Sequence, residues 1–375
     1  MNNPSSATIA VIGTAIAGLS SAIGAANANH HVSVFGHVPA RLQGALQLAP
    51  NGFAALHALG AYEPIRPSLT RLSAIELRSA RTNSCLSVID HENPTQRDYA
   101  SIGRDALYQA LLSVAQAHPL ISFHNQMVTA LHITKDETNL TTQDGSTHHF
   151  DLIIGADGKD GIARHAIAPH SAPTPITRQA LRTSCNSTAL PRPFGAKRTQ
   201  LWLGDGFHLV SYPFEGGAKI NLVLCTASTA YNSPDDIVRR LTANTPILAS
   251  LAQAGLSWHS TPLAPASQLA TWRKFGLILT GDAAHFMPPH LAQGAGQTLE
   301  DAASLSHFLS QATNIEQAAA QWALNRSRSL APVIERAEAT GTIMRLSGPF
   351  ARLRNFAIEI GGQRLIEQWL KQVWH

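Results

Sequence analysis

The chain has 375 residues, 44% of them apolar and 14% charged, with a formal net charge of +4. That length buries a sizeable core and predicts two interleaved domains rather than one. The mild charge, with Lys and Arg scattered rather than clustered, argues against the phosphate-binding face that nucleic acid requires.

Thr8–Ile12 (TIAVI) is a short β-branched run suited to a fully buried parallel strand. A helix rich in small residues follows, from Ala15 to about Ala28. Asn29 takes the left-handed turn position, and His31–Phe35 (HVSVF) is a second strand, completing a β-α-β unit. After Arg41 come a loop and a helix containing Leu56 and Leu59. Residues 70–100 alternate weakly and read as antiparallel strands, and an amphipathic helix opens at Arg104 (RDALYQALLSVAQ). Phe150–Gly158 is a buried strand ending in a glycine turn. Residues 199–226 hold paired strands joined by the Glu215-Gly216-Gly217 turn. Phe275–His285 is one more buried strand, followed by a loop, a helix over 297–309, and largely helical chain to His375.

Parallel β-α-β elements at both ends, with antiparallel strands between them, predict an α/β protein. A Rossmann-like nucleotide domain (1–70, 101–175 and 269–320) is interrupted by an antiparallel-sheet substrate domain (71–100 and 176–268), and residues 321–375 form C-terminal helices. Cys85, Cys185 and Cys225 are too few and too dispersed for a disulfide framework or a zinc site. No apolar run approaches the roughly 20 residues that span a bilayer. The first Lys or Arg is Arg41, so the basic start of a signal peptide is missing. A soluble, cytoplasmic protein is expected, a monomer or homodimer without nucleic-acid or membrane partners.

The stretch VIGTAIAGLS sits where the first strand turns into the helix and nearly spells G-x-G-x-x-G. In that fingerprint the first glycine makes the tight turn, the second admits a pyrophosphate and the third lets helix and strand pack. Gly13 and Gly18 are in place, but Ala15 replaces the middle glycine. The acidic residue that should hold ribose hydroxyls at the end of the second strand is Gly36, followed by His37. A weakened grip on the nucleotide half of a cofactor is expected.

Two further segments are more specific. LILTGDAAHFMPPHLAQGAGQTLEDA (Leu277–Ala302) resembles the second flavin motif of the single-component FAD aromatic hydroxylases, flavoprotein monooxygenases of the p-hydroxybenzoate and salicylate hydroxylase type. IIGADGKDGIAR (Ile153–Arg164) resembles their Asp-Gly motif, with Gly161 where Ser is usual. SIGRDAL, LWLGDGFHLVSYPFEGG and SGPFARLRN continue the resemblance along nearly the whole chain. It implies a glutathione-reductase type FAD domain, bound FAD, NADH or NADPH as co-substrate, and O2. The implied reaction is hydroxylation of a small phenolic or hydroxy-N-heteroaromatic acid through a flavin C4a-hydroperoxide. Gly13, Ala15 and Gly18 would face the cofactor; Arg104 and Asp157 would lie near the diphosphate and Asp282 at the ribitol. Gly294, Ala295 and Gly296 would let a flat ring approach the start of the next helix, whose dipole stabilises negative charge on reduced flavin. Other flavin chemistry on the same fold, or a homologue that has lost FAD, remain alternatives.

For the substrate, the period of two sets His208, Val210 and Tyr212 on one strand face. His208 is a candidate base for a phenol and Tyr212 a candidate hydroxyl clamp. Pro288 and Pro289 stiffen the loop that carries His290 to the flavin. The resemblance places Pro289, His290 and Gln47 at the pocket, and Arg182 is a possible carboxylate contact. His30-His31 and His148-His149 point opposite ways along their strands, so no metal site is expected.

Overall fold

A computed structural model describes residues 6–91, 98–169, 177–227, 233–371 and 373–374. Thr8–Ile12 lies between His31–Phe35 and Leu152–Gly155 in parallel register. Ile121–His124 and Leu277–Leu279 extend this sheet on either side, and Arg273–Lys274 closes one edge antiparallel. Ile9, Val11, Leu152 and Ile154 are wholly buried, as befits a parallel sheet covered on both faces. Helices Ile16–Asn27, Arg104–Ala117 and Gly294–Ser310 interlock through Leu19, Ile23, Leu107, Leu111 and Leu299. The small residues of the first helix have a steric purpose. A Cβ on Gly18 would lie 1.8 Å from the Gly13 carbonyl oxygen, and one on Gly24 would lie 2.5 Å from that of Ala302. Asn29 adopts φ 67°, the left-handed turn expected of it.

A second sheet has seven strands, in the order His259–Leu263, Arg178–Asn186, Lys219–Ala227, Phe207–Phe214, Thr199–Leu203, Ala74–Ser79, Cys85–Asp90. Contrary to a purely antiparallel expectation, Thr199–Leu203 runs parallel to Ala74–Ser79. One face buries Leu181, Trp202, Leu209, Leu222 and Leu224 against helices Pro234–Thr242 and Pro246–Gln253. The alternate face carries His208, Val210 and Tyr212, set by register beside Cys225, Val223 and Asn221, with Arg182 next to Val223.

The second sheet is tied at Ala45 to a separate three-stranded sheet, in which Ala45–Leu48 pairs with Ala100–Gly103. Tyr212 donates its hydroxyl to the Ala45 carbonyl at 2.9 Å, while the Asn221 side-chain oxygen accepts the Ala45 amide at 3.2 Å. The long helix Ile315–Met344 is followed by the helical stretch Gly348–Lys371, which is kinked at Gly362 (φ 55°, ψ −154°); Ile358 before the kink and Ile366 after it pack onto Leu201 and Leu203. No helix of the described residues is long and apolar enough to cross a membrane.

Candidate active site

On the nucleotide side, Gly13 has φ 114° and a Cβ there would lie 2.5 Å from the Ala156 carbonyl oxygen, so only glycine fits. Ala15 is exposed and extended (φ −80°, ψ −171°), so alanine adopts the position without strain. It caps the helix with no side-chain hydrogen bond, leaving the first amides free for an anion, but its methyl stands in the approach. Gly36 has φ 137°, and a Cβ would come within 3.3 Å of Thr14 Cγ2. A carboxylate is therefore missing where the backbone itself disfavours any side chain. Thr14 donates its hydroxyl to the His37 carbonyl at 2.7 Å, and the His37 ring lies 2.8 Å from Asn125 Oδ1.

Arg104 is exposed at the start of its helix, and no described hydrogen bond or ion pair engages its guanidinium. Asp282 lies in the turn Gly281–Ala283 and keeps access to solvent. Partial desolvation by the surrounding chain pushes its carboxyl up, opposed by His285 and Arg104. Asp157 engages one carboxylate oxygen within the fold and leaves Oδ1 without a partner. Its Oδ2 accepts the Ala163 amide at 3.0 Å and caps the helix Ile162–Ile167. A Cβ on Gly161 would fall 2.1 Å from the Asp157 carboxyl carbon, which accounts for glycine there.

The helix expected to flank the flavin begins at Gly294, not at 297, so Gly294, Ala295 and Gly296 form its first turn. A Cβ on Gly294 would meet nothing within 4 Å, whereas one on Gly296 would lie 3.2 Å from Asn51 Nδ2. The helix start is uncapped and carries no acid in its first turn. Its open first turn, the free amides after Ala15, the unpaired Arg104 and the Asp282 carboxylate fit FAD. A buried network that the motifs did not reveal holds this helix. Asp301 accepts the Gly281 amide (2.9 Å), His285 Nε2 (2.6 Å) and Arg326 Nε (2.8 Å). Arg326 also donates to the Gln297 side-chain oxygen at 2.6 Å. Burial alone would raise the Asp301 carboxyl, but His285 and Arg326 hold it below its ordinary value. The Gly281–Asp282 turn and the flavin helix are thus one rigid unit.

The pocket face brings His208 and His290 together, their ring centroids 5.2 Å apart. His290 follows Pro289 in the turn Pro289–Leu291 and is 7% exposed, with both ring nitrogens unpartnered; Nδ1 of His208 is unpartnered too. Pro289 shapes the backbone here; its ring offers no polar atom. Gly341 makes the room, since a Cβ on it would fall 2.3 Å from His290 Cδ2. Burial, then Arg345 and Arg178, lower the His290 pKa to about 4. Burial, His290, Arg345 and Arg354 keep His208 well below the usual imidazole value. Both rings are therefore neutral near pH 7.

Tyr212 and Gln47 stand nearby but are occupied. The Tyr212 hydroxyl donates to Ala45 and accepts Asn221 Nδ2 at 2.9 Å, and burial pushes its pKa up to about 12. Gln47 donates to Thr199 Oγ1 at 2.8 Å and accepts the Tyr99 hydroxyl at 2.9 Å. Tyr212 thus holds the sheet junction rather than offering a free hydroxyl, and Gln47 is tied inside the fold.

Residues missed in the sequence complete the pocket. Cys225 lies directly across the hairpin from His208, a pairing that counting outward from the Glu215–Gly217 turn could have found. Ligating atoms of His208, Cys225 and His290 lie within 4.8 Å of one another, a grouping that linear spacing hid. Arg178, Arg345 and Arg354, however, act on these groups, and Arg182 acts on Cys225. Four guanidiniums oppose a cation here and favour an anion. Arg178 is paired with Glu338, and Arg354 donates to the Met344 and Gly204 carbonyls. Arg182 is half-buried beside Arg104, Tyr212 and Cys225, and no described hydrogen bond or ion pair engages it.

Residues 7–338 match the model of the family described as FAD binding domain. The chain is 27% identical to 3-hydroxybenzoate 6-hydroxylase 1 of Aquipseudomonas alcaligenes, over 80% of each chain. It is 25% identical to 6-hydroxynicotinate 3-monooxygenase of Bordetella bronchiseptica, over 96% of this chain and 97% of that one. Its fold matches a salicylate hydroxylase substrate complex with a TM-score of 0.82 at 22% identity, covering 99% of this chain and 95% of the other.

Proposed function

The chain belongs to the FAD binding domain family, and on that premise we propose that it is an FAD-dependent monooxygenase acting on a small hydroxylated aromatic acid, phenolic or N-heteroaromatic. The observation that carries this reading is the pocket: two neutral, unpartnered imidazoles ringed by guanidiniums, of which Arg182 has no anion of its own. A half-buried guanidinium without a counter-ion is costly, and an anionic ligand offsets that cost. The relatives that act on hydroxybenzoate and hydroxynicotinate support the substrate class.

FAD, held by the Gly13–Gly18 turn, Arg104, Asp282 and the first turn at Gly294, supplies oxygen-activating redox chemistry with NADH or NADPH and O2. The protein's own part is orientation and proton control. Arg182 receives the carboxylate. His208 Nδ1 and the His290 ring, neutral at pH 7, are placed to accept the hydrogen bond of the ring hydroxyl. The surrounding guanidiniums stabilise negative charge that develops on that oxygen. Tyr212 acts by fixing Ala45 and the sheet junction.

The test is binding to the FAD-loaded protein, read as a perturbation of the flavin absorbance. 3-Hydroxybenzoate or 6-hydroxynicotinate is expected to bind at least about 30-fold tighter than its carboxamide, the scale of one charge-assisted contact of about 2 kcal/mol. Arg182→Gln is expected to remove that preference while FAD binding persists. Equal binding of acid and amide, or a preference untouched by Arg182→Gln, would sink the assignment.

A further inference from the structure

The outward face of the helix Gly348–Lys371 is apolar where a solvated helix would be polar. Phe350, Leu353, Phe356 and Ile360 are 65%, 62%, 59% and 71% exposed. Spacings of three, three and four place them in one stripe of the 3.6-residue period. The opposite face is already used: Ile358 packs on the second sheet and Arg354 is buried among carbonyls. Scattered exposed apolar residues need no explanation, but a continuous stripe marks a contact surface. Arg352 and Glu359 are both exposed and lie along one flank of the stripe, two helical turns apart. Their charges balance, unlike the Lys/Arg-rich polar face of a helix that lies on an anionic bilayer.

We propose that this face joins two copies of the chain, with the helices antiparallel about a two-fold axis close to Phe356. A two-fold contact must be self-complementary, residue i meeting j and j meeting i. An axis between positions 355 and 356 meets that condition. It sets Arg352 of each copy against Glu359 of the other, and it centres the stripe, with Phe350 and Leu353 on one side and Ile360 on the other.

Sedimentation velocity of the full-length, FAD-loaded protein at micromolar concentration is expected to show a dimer. Phe356→Glu, outside the pocket, is expected to weaken it at least about 30-fold, as loss of an interface hot spot does. The flavin spectrum and melting temperature should stay those of the wild type. Arg352→Glu weakens the dimer by opposing like charges, and the double variant Arg352→Glu/Glu359→Arg restores it. A wild type that stays monomeric, a dimer indifferent to Phe356→Glu, or a double variant that fails to recover would each overturn the proposal. A monomer that pellets with phosphatidylglycerol vesicles would overturn it in favour of a lipid surface.

Discussion

His290 is a buried imidazole with no hydrogen bond to either nitrogen, seated under Gly341 and facing His208. Its pKa of about 4, against an ordinary 6.5, has a consequence for stability. Between those pH values the unfolded chain carries a proton that the native state refuses, so stability falls as pH drops from about 6.5 towards 4. The loss reaches about 3 kcal/mol when complete, and about 2 kcal/mol between pH 7 and pH 5. Urea unfolding at pH 7 and pH 5 should show this drop in the wild type and a drop smaller by about 2 kcal/mol in His290→Asn. Equal drops in both proteins would contradict the burial argument. At this scale the sequence identified His208 and His290 by type and position but not their state. That state comes first from burial and then from guanidiniums distant in the chain, Arg345 acting on both rings. For Tyr212 and Gln47 the sequence supplied polar groups facing the right way. It could not show that Ala45, Asn221, Thr199 and Tyr99 already occupy them.

The element proposed to govern cofactor grip is the strand-to-helix turn at Gly13–Gly18. Ala15 has an unstrained backbone, so its methyl obstructs the anion approach without distorting the turn. Ala15→Gly is expected to tighten FAD binding by about tenfold, or about 1.4 kcal/mol, in a flavin fluorescence titration. Glycine is also the better helix cap, so protein stability should not fall. Unchanged or weaker FAD binding would contradict this account of the turn. The β-α-β order and the strand alternation were readable because periodicity is local. The start of the flavin helix was not, because Gly294 and Gly296 each disfavour a helix by up to about 1 kcal/mol. The Asp301–Arg326–His285 network and the Gln297 contact hold that turn all the same. Likewise, the parallel pairing of Thr199–Leu203 with Ala74–Ser79 joins strands distant in sequence, and alternation does not name a partner.

Across the whole molecule, the parallel sheet carries the turns at Gly13 and Asp282, and the second sheet carries His208, Cys225 and Arg182 on one face. Tyr212 and Asn221 tie the second sheet to the strand Ala45–Leu48. Arg104 acts electrostatically on Asp282, Tyr212 and Arg182, linking the cofactor side to the substrate side. That arrangement is the reason to read one site rather than two. The most direct measurement is a turnover assay of the FAD-reconstituted protein with NADH or NADPH, 3-hydroxybenzoate or 6-hydroxynicotinate, and isotopically labelled O2, with the product read by mass spectrometry. The account expects coenzyme oxidation stimulated by the acid and a product carrying one labelled oxygen atom. A protein that takes up FAD but leaves hydroxylated aromatic acids unlabelled would contradict it, as would one that takes up no FAD.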